Sequence, residues 1–344
     1  MKVKIKMSEF FLELFSEEIP SKLQVNARKS LLENLKKFFE ENEVSIKGKF
    51  KVFSTPNRLV VHIDKITREI FKKSEEIRGP NINVPDKGLD GFVRSNNIKK
   101  TQIYKKKTDK GEFYFYKKPS QKINTADLLK KNIPKILLKI LWNKSMKWGD
   151  HNLFWGRPLK SILCVFDGKK MDFNFGHLKS SNTTFVDKEL EEKTKSFSNF
   201  KSYNSFFKSL GILIDQEKRK SFISNELIKL SNKKKLKINL KENLLEEITN
   251  IVEKPKILLC EFDKKYLMIP KEILIITMQN HQKYFPTFDN KENLTNNFFV
   301  VADTKDPKGF VKLGNERVIE ARLSDAKFFW KRNRSQNLVK QISQ

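Results

Sequence analysis

The run Phe10-Phe-Leu-Glu-Leu-Phe15 is apolar but for Glu13 and is closed by Ser-Glu-Glu-Ile-Pro20. A short aromatic and aliphatic run ended by turn-forming residues predicts a buried strand. Beyond Pro20 and Ser21 the apolar positions change period. Ala27, Leu31, Leu35, Phe38 and Phe39 recur at three- and four-residue steps, which draws a single stripe along a helix. Lys51 to Ser54 and Leu59 to Ile66 then flank Thr55-Pro-Asn-Arg58, where proline presets a turn, so a hairpin is predicted on the same sheet.

From Gly79 to Lys118 the chain is rich in Asn, Lys, Gly and Asp, and only the alternating Phe113-Tyr-Phe-Tyr116 reads as a firm strand, which predicts a loop-rich insertion. Thr125 is placed to cap a helix burying Leu128, Leu129, Ile133, Ile136, Leu137, Ile140 and Leu141, with a kink at Pro134. Leu159 to Phe166 and Lys170 to Phe175 read as a hairpin across Asp167-Gly168. The stretch 179–239 is polar and helical in places and reads as a small lobe of its own.

The last unit, 240–344, opens with a helix to Val252 that ends near Pro255. Strands are predicted at Ile257 to Phe262 and Tyr266 to Ile269, then a helix from Pro270 through Met278, then a hairpin of Tyr284 to Phe288 with Phe298 to Ala302 across Asn290 to Asn293. A final helix from about Asn315 carries Ile319, Leu323, Ala326 and Trp330 on one face, with Gly314-Asn315 as its bend and cap. The pattern as a whole predicts an α+β, multidomain chain of mixed or antiparallel sheets packed with helices, divided at 1–178, 179–239 and 240–344.

Composition changes the picture in two places. Among 344 residues the 29 phenylalanines supply ample core material, which excludes a disordered chain. The formal charge of +29 invites a polyanionic partner, yet 59 of the basic residues are lysines and only 11 are arginines, as an AT-rich coding sequence also produces. Both readings stay open on charge alone. The arginines carry more information, because a planar guanidinium suits phosphate, and five of them fall at Arg157 and between Arg317 and Arg334. Cys164 and Cys260 stand isolated and read as buried thiols of a reducing compartment, with no zinc or disulfide spacing. The charged N-terminus lacks the apolar run of a signal peptide, and no window is long and apolar enough to span a bilayer, so a soluble cytoplasmic chain with no membrane association is expected.

Several longer strings carry a resemblance. Thr277-Met-Gln-Asn-His-Gln-Lys-Tyr-Phe-Pro286, Gly314-Asn-Glu-Arg-Val-Ile319 and Arg322-Leu-Ser-Asp-Ala-Lys-Phe-Phe-Trp330 follow Phe11-Leu-Glu-Leu-Phe-Ser-Glu-Glu-Ile-Pro20, Thr55-Pro-Asn-Arg-Leu59, Arg78-Gly-Pro80, Gly91-Phe92, Met146-Lys-Trp-Gly-Asp150 and Arg157-Pro158. In this order and with these gaps the chain, from about Ser8 to about Arg334, resembles the beta subunit of the bacterial heterotetrameric glycyl-tRNA synthetase. The resemblance implies a front half, since family members continue through a helical domain and an anticodon-binding domain without counterpart here. It departs from the family where Asn182-Thr-Thr-Phe185 replaces Gly-His-Arg-Phe, where Asn57 replaces a second arginine, and where Asp303 replaces the asparagine of Val-Ala-Asn.

The resemblance also implies a division of labour. The adenylate-forming site, with its ATP and Mg2+, belongs to a separate alpha subunit; this chain would bind no cofactor or metal, supply no catalytic residue, and act in an alpha2beta2 tetramer on tRNA(Gly). No glycine-rich phosphate loop is visible in the sequence, which agrees. Gln282, Lys283 and Tyr284 offer donors beside a ring, a mixture suited to an RNA end, or else they simply begin a core strand. Arg157, held extended before Pro158, and Arg317 are further RNA-binding candidates. Arg322 and Asp325 share one helical face and, with Asn315 and Glu316, are candidates for a subunit or interdomain contact. Glu316 and Glu320 beside Arg317 and Lys327 also fit surface ion pairs. His281 lacks the companions of a metal ligand, and Trp148 reads as a core anchor. The function expected is support of glycine attachment to tRNA; the alternative is a non-enzymatic tRNA- or RNA-binding module or an assembly scaffold.

Overall fold

The computed structural model describes residues 6–187 and 193–335, the last three of these through their backbone alone. The charged start, 1–5, and the closing residues 336–344 lie outside the described residues.

Strand β1, Met7–Ser16, is the middle of a five-stranded antiparallel sheet. Helix α1, Ser21–Glu41, follows it, and the hairpin of β2, Ile46–Thr55, and β3, Arg58–Thr67, pairs along one side. An apolar run without alternation requires cover on both faces of a strand, and β1 has it. Phe10, Leu12 and Leu14 belong to the core beneath α1, where Ala27, Leu31, Leu35, Phe38 and Phe39 are all buried as their spacing requires. Phe11 points the other way, into a cluster with Val60, Phe197, Tyr203 and Phe207.

The 79–118 stretch is more ordered than its composition suggests. Strands β4, Glu75–Asn81, β5, Ile103–Thr108, and β6, Gly111–Lys118, form a three-stranded sheet, and helix α2, Asp86–Ser95, sits within the connection. Lysine-rich β5 lacked the apolar alternation that marks a strand, because its outward residues need no cover. Helix α3, Thr125–Leu138, is capped by Asn124 rather than Thr125, the Asn124 side chain accepting from the Ala126 N–H at 2.8 Å. Leu141 lies beyond the helix and is exposed.

Strand β7, Leu159–Phe166, pairs with β1 on the side away from β3. Asp167 and Gly168 both adopt positive φ, 53° and 74°, as a tight hairpin turn demands. The returning strand stops after Lys169 and Lys170, however, and Asn174–Phe175 pairs with Leu178–Lys179 instead. Trp155 is the buried tryptophan of this region, while Trp148 is half-buried against the same core.

Helices α4, Phe200–Ser209, and α5, Gln216–Lys233, come from the polar stretch, and each buries one apolar side, Tyr203 and Phe207 in α4 and Ile223 and Leu227 in α5. Tyr203 and Phe207 of α4 close the second face of the first sheet. Arg219 of α5 is buried and donates to the Ser54 and Thr249 carbonyls at 2.8 Å each, fastening β2 to helix α6, Glu242–Ile251. Burial lowers its pKa to about 10.

The last sheet is built from β8, Lys256–Glu261, β9, Phe285–Phe288, and β10, Leu294–Ala302, with Lys237–Ile238 at its edge. Helices α5 and α6 bury Ile223, Leu227 and Ile248 against Phe285 and Phe299 on one face. Helix α8, Phe310–Ser335, buries Ile319 and Leu323 against Cys260 and Phe298 on the other. Two expectations fail here. Tyr266 to Ile269 is a short helical segment, Lys264–Met268, capped by Asp263, because the aspartate accepts from the Lys265 N–H at 2.9 Å. Helix α8 starts at Phe310, not Asn315, since Asp306 accepts from the Val311 and Lys312 N–H groups at 3.1 and 2.9 Å and supplies the cap.

Candidate functional site

Helix α7, Lys271–Ile276, runs into a widened π-helical turn, Thr277–His281. Such turns insert one extra residue and recur at functional sites. Lys283 then takes a left-handed backbone, φ 60°, which reverses the chain into β9. Tyr284 is thereby carried into the interior, 5% exposed, with its ring stacked on Phe298 at 5.0 Å. Its hydroxyl donates to Asn315 Oδ1 at 2.7 Å, and burial pushes the phenol up to about 12. A ring so covered is not a platform for a base, so Tyr284 is a core residue. Asn315 donates in turn to the Val311 carbonyl at 2.7 Å and sits in the second turn of α8, where it joins helix to sheet instead of opening a helix.

The neighbouring candidates divide. Lys283 ion-pairs with Glu247 at 2.9 Å, and Gln282 is half-buried beside it. Glu316 Oε1 accepts from the Glu261 N–H at 2.9 Å and lies 3.6 Å from Lys312, and Glu320 Oε1 accepts from the Asp263 N–H at 3.3 Å. These two carboxylates therefore close the end of edge strand β8, which explains them better than pairing with Arg317 and Lys327. Arg317, Arg322 and Asp325 are exposed. Arg157 lies in the bend just before β7, half-buried, and its guanidinium donates to the Gly156 carbonyl at 2.8 Å. The structure thus brings Tyr284, Asn315 and Glu316 together as a seam and leaves Arg317, Arg322 and Asp325 on its outside.

The outside of α8 was not legible from the motifs. Phe310 and Phe328 are 70% and 61% exposed, and Leu313, Val318 and Phe329 are exposed as well. Phe310 and Phe328 are separated by about five turns, so they share a side with Arg317 opposite Ile319 and Leu323. Counting period from the outer phenylalanines as well as from the inner stripe would have found this second face.

Three of the positions that depart from the family pattern make structural contacts. Asn57 is buried and donates to the Ser16 carbonyl at 3.1 Å, and Asp303 accepts from the Glu253 and Lys254 N–H groups at 2.6 and 2.7 Å. Thr184 is buried in a polar centre with Glu13, Arg58 and Tyr203. There Arg58 lies 3.0 Å from Glu13 and between the rings of Phe15 and Phe207. The Glu13 charge holds the guanidinium of Arg58 above its ordinary value against a large desolvation cost. Burial raises both cysteine thiols, Cys260 to about 12, so neither is a reactive thiolate. Among the described residues no group of three His, Cys, Asp or Glu side chains is arranged to hold a metal, and no helix is long and apolar enough to cross a membrane. The chemistry the region offers is recognition: a rigid helix with an exposed face of apolar side chains and arginines.

Residues 10–344 match the family model described as "Glycyl-tRNA synthetase beta subunit". The glycine--tRNA ligase beta subunit of Rickettsia canadensis (strain McKiel) is 36% identical over 338 residues, covering 98% of this chain and 50% of that protein. The corresponding subunit of Rickettsia africae (strain ESF-5) is 36% identical over 339 residues, covering 98% and 51%, and that of Rickettsia prowazekii (strain Madrid E) is 35% identical over 337 residues, covering 98% and 50%. The chain spans about half the length of these curated relatives.

Proposed function

This chain belongs to the glycyl-tRNA synthetase beta subunit family, and we propose that it assembles with a separate catalytic alpha subunit and helps to present tRNA(Gly) for the attachment of glycine. The observation that supports assembly most directly is the two-faced last helix. Ile319 and Leu323 anchor α8 to the sheet while Phe310, Leu313, Val318 and Phe328 remain uncovered around Arg317. Exposed aromatic and aliphatic anchors around an arginine are what the centre of a protein interface requires. Arg322 and Asp325, exposed beside that face, would add polar contacts at its rim.

In this reading ATP and its Mg2+ are handled by the alpha subunit, in an alpha2beta2 assembly, and this chain contributes surface and rigidity. Arg157, Gln282 and Lys283 are the side chains proposed for RNA contact, while Arg317, an RNA candidate in the sequence, is assigned to the subunit face and Tyr284 acts only through the packing of the seam. The test is transfer of radiolabelled glycine to tRNA by the alpha subunit alone and with this chain added. Stimulated transfer is expected, and unchanged transfer at saturating concentrations of the chain would sink the charging role.

A second reading draws on the net charge of +29: an RNA-binding module that plays no part in charging. It predicts tRNA binding that weakens steeply with salt and no stimulation of the alpha subunit.

A further inference from the structure

The sheet of β4, β5 and β6 has one face covered and one face open. Gly79 marks the covered face, because a Cβ there would lie 2.9 Å from the ring of Phe92 on α2. Arg78 precedes it and is exposed, its guanidinium lying over Phe113 on the open side. The register sets both Arg78 and Tyr104 beside Phe115, and Lys106 beside Phe113, so all five share that side.

Their contacts agree with the register. The Tyr104 ring stacks on Phe115 with centroids 6.2 Å apart, the Arg78 guanidinium lies 3.5 Å from the centroid of Phe113, and the Lys106 ammonium lies 5.4 Å from that of Phe115. Tyr104, Arg78, Lys106 and Lys117 are exposed, and they lie over Phe113, which is half-buried, and Phe115, which is buried. Glu76 is the carboxylate on this face, and it is engaged by the Tyr104 hydroxyl at 2.6 Å and by Lys106. A solvated sheet face needs no phenylalanine, and a second covering helix would not be met by this many cations. Between 75 and 118 the chain carries eleven Lys and Arg against six Asp and Glu, so the open face sits in a positive field.

We propose that the exposed groups of this face, Arg78, Tyr104, Lys106 and Lys117, laid over half-buried Phe113 and buried Phe115, bind single-stranded RNA. Unpaired bases stack on Tyr104 and on the guanidinium of Arg78, and Lys106 and Lys117 meet the backbone phosphates. Flat antiparallel sheets that display rings flanked by cations suit unstacked nucleotides, whereas duplex RNA presents its bases edge-on and offers the rings nothing. The site lies outside every motif proposed for tRNA contact above and stands without the alpha-subunit reading.

The experiment is fluorescence anisotropy of the whole chain with a fluorescein-labelled twelve-nucleotide oligouridine and with a labelled RNA hairpin, at several salt concentrations. The single strand is expected to bind more tightly than the hairpin. Tyr104→Ala and Arg78→Ala should each weaken it at least about fivefold, in line with the loss of one stacked base. Tyr104→Phe keeps the ring and should restore most of the affinity, which separates stacking from misfolding. Lys106→Ala should lower the salt slope by about one. Lys36→Ala, a change at an exposed lysine of α1, should leave binding as it was. Equal binding by Tyr104→Ala and the parent, preference for the hairpin, or an equal loss in Lys36→Ala would each overturn the proposal. None of these readings involves glycine transfer, so failure here is distinct from failure of the charging role.

Discussion

The hydroxyl of Tyr284 donates to the side-chain oxygen of Asn315 at 2.7 Å, joining the turn before β9 to the last helix across the chain. Two residues from separate family strings thus meet in one bond. Tyr284→Phe keeps the ring against Phe298 and deletes the donor, so urea unfolding should show a loss of about 1 kcal/mol. RNA affinity should be unchanged, because the ring is covered. A drop in RNA affinity without a drop in stability would put Tyr284 back among the RNA contacts.

The buried pair Glu13 and Arg58 should be strongly coupled. Both side chains are at most 1% exposed, and Tyr203 and Thr184 also bond the carboxylate. Arg58→Met strands a buried carboxylate, which costs about 3–5 kcal/mol, while the double change with Glu13→Leu should recover much of that. Denaturant midpoints of the two single variants and the double variant test it, and a cost below about 1 kcal/mol for Arg58→Met would refute the coupling.

Opposite faces of α8 should respond oppositely. Leu323→Ala removes a fully buried side chain and should cost about 2–5 kcal/mol. Phe328→Ser changes an exposed ring and should stay within about 0.5 kcal/mol. Thermal melts of the two variants compare them directly, and equal destabilisation would mean that Phe328 is covered in this chain.

Alkaline pH should loosen the fold. Burial raises Tyr284 to about 12 and Tyr203 well above its ordinary value, so the native state holds these protons more tightly than the unfolded chain does. Their contribution is whole below the unfolded phenol value near 10 and is lost as pH rises from there through the folded values. Arg219, lowered to about 10, works in the opposite direction over the same window, but Cys260, raised to about 12, adds to the phenols. Stability measured from pH 8 to 12 should therefore fall above about 10, with a shallower fall in Tyr284→Phe. Parallel curves for the two proteins would contradict the assignment.

The sequence revealed elements where burial imposes a period and hid those where it does not. Phe10 to Phe15 and the Ala27 to Phe39 stripe are legible because a covered strand and an amphipathic helix each leave a regular apolar trace. β5 is half lysine, with Lys105, Lys106 and Lys107 all exposed on an edge strand, and nothing local distinguishes it from a loop. The start of α8 was misplaced because Gly314-Asn315 looks like a boundary, while the real cap, Asp306, acts from outside the helix on Val311 and Lys312. Arg317 was singled out from the motifs and is indeed accessible, but the aromatic side it shares with Phe310 and Phe328 emerged only once the inner face was fixed. Glu316 and Glu320 carried no signal of their partners, since those are backbone N–H groups of β8 and the segment after it.

Assembly with the alpha subunit is the claim on which the proposed charging role depends. The direct measurement is light scattering coupled to size-exclusion chromatography of this chain mixed with the alpha subunit at micromolar concentration, alongside the double variant Arg317→Glu, Phe328→Asp. The wild-type chain should co-elute with alpha in one species of larger mass, and the variant, equally folded, should elute apart from it. Separate elution of the wild-type chain and alpha would contradict the account.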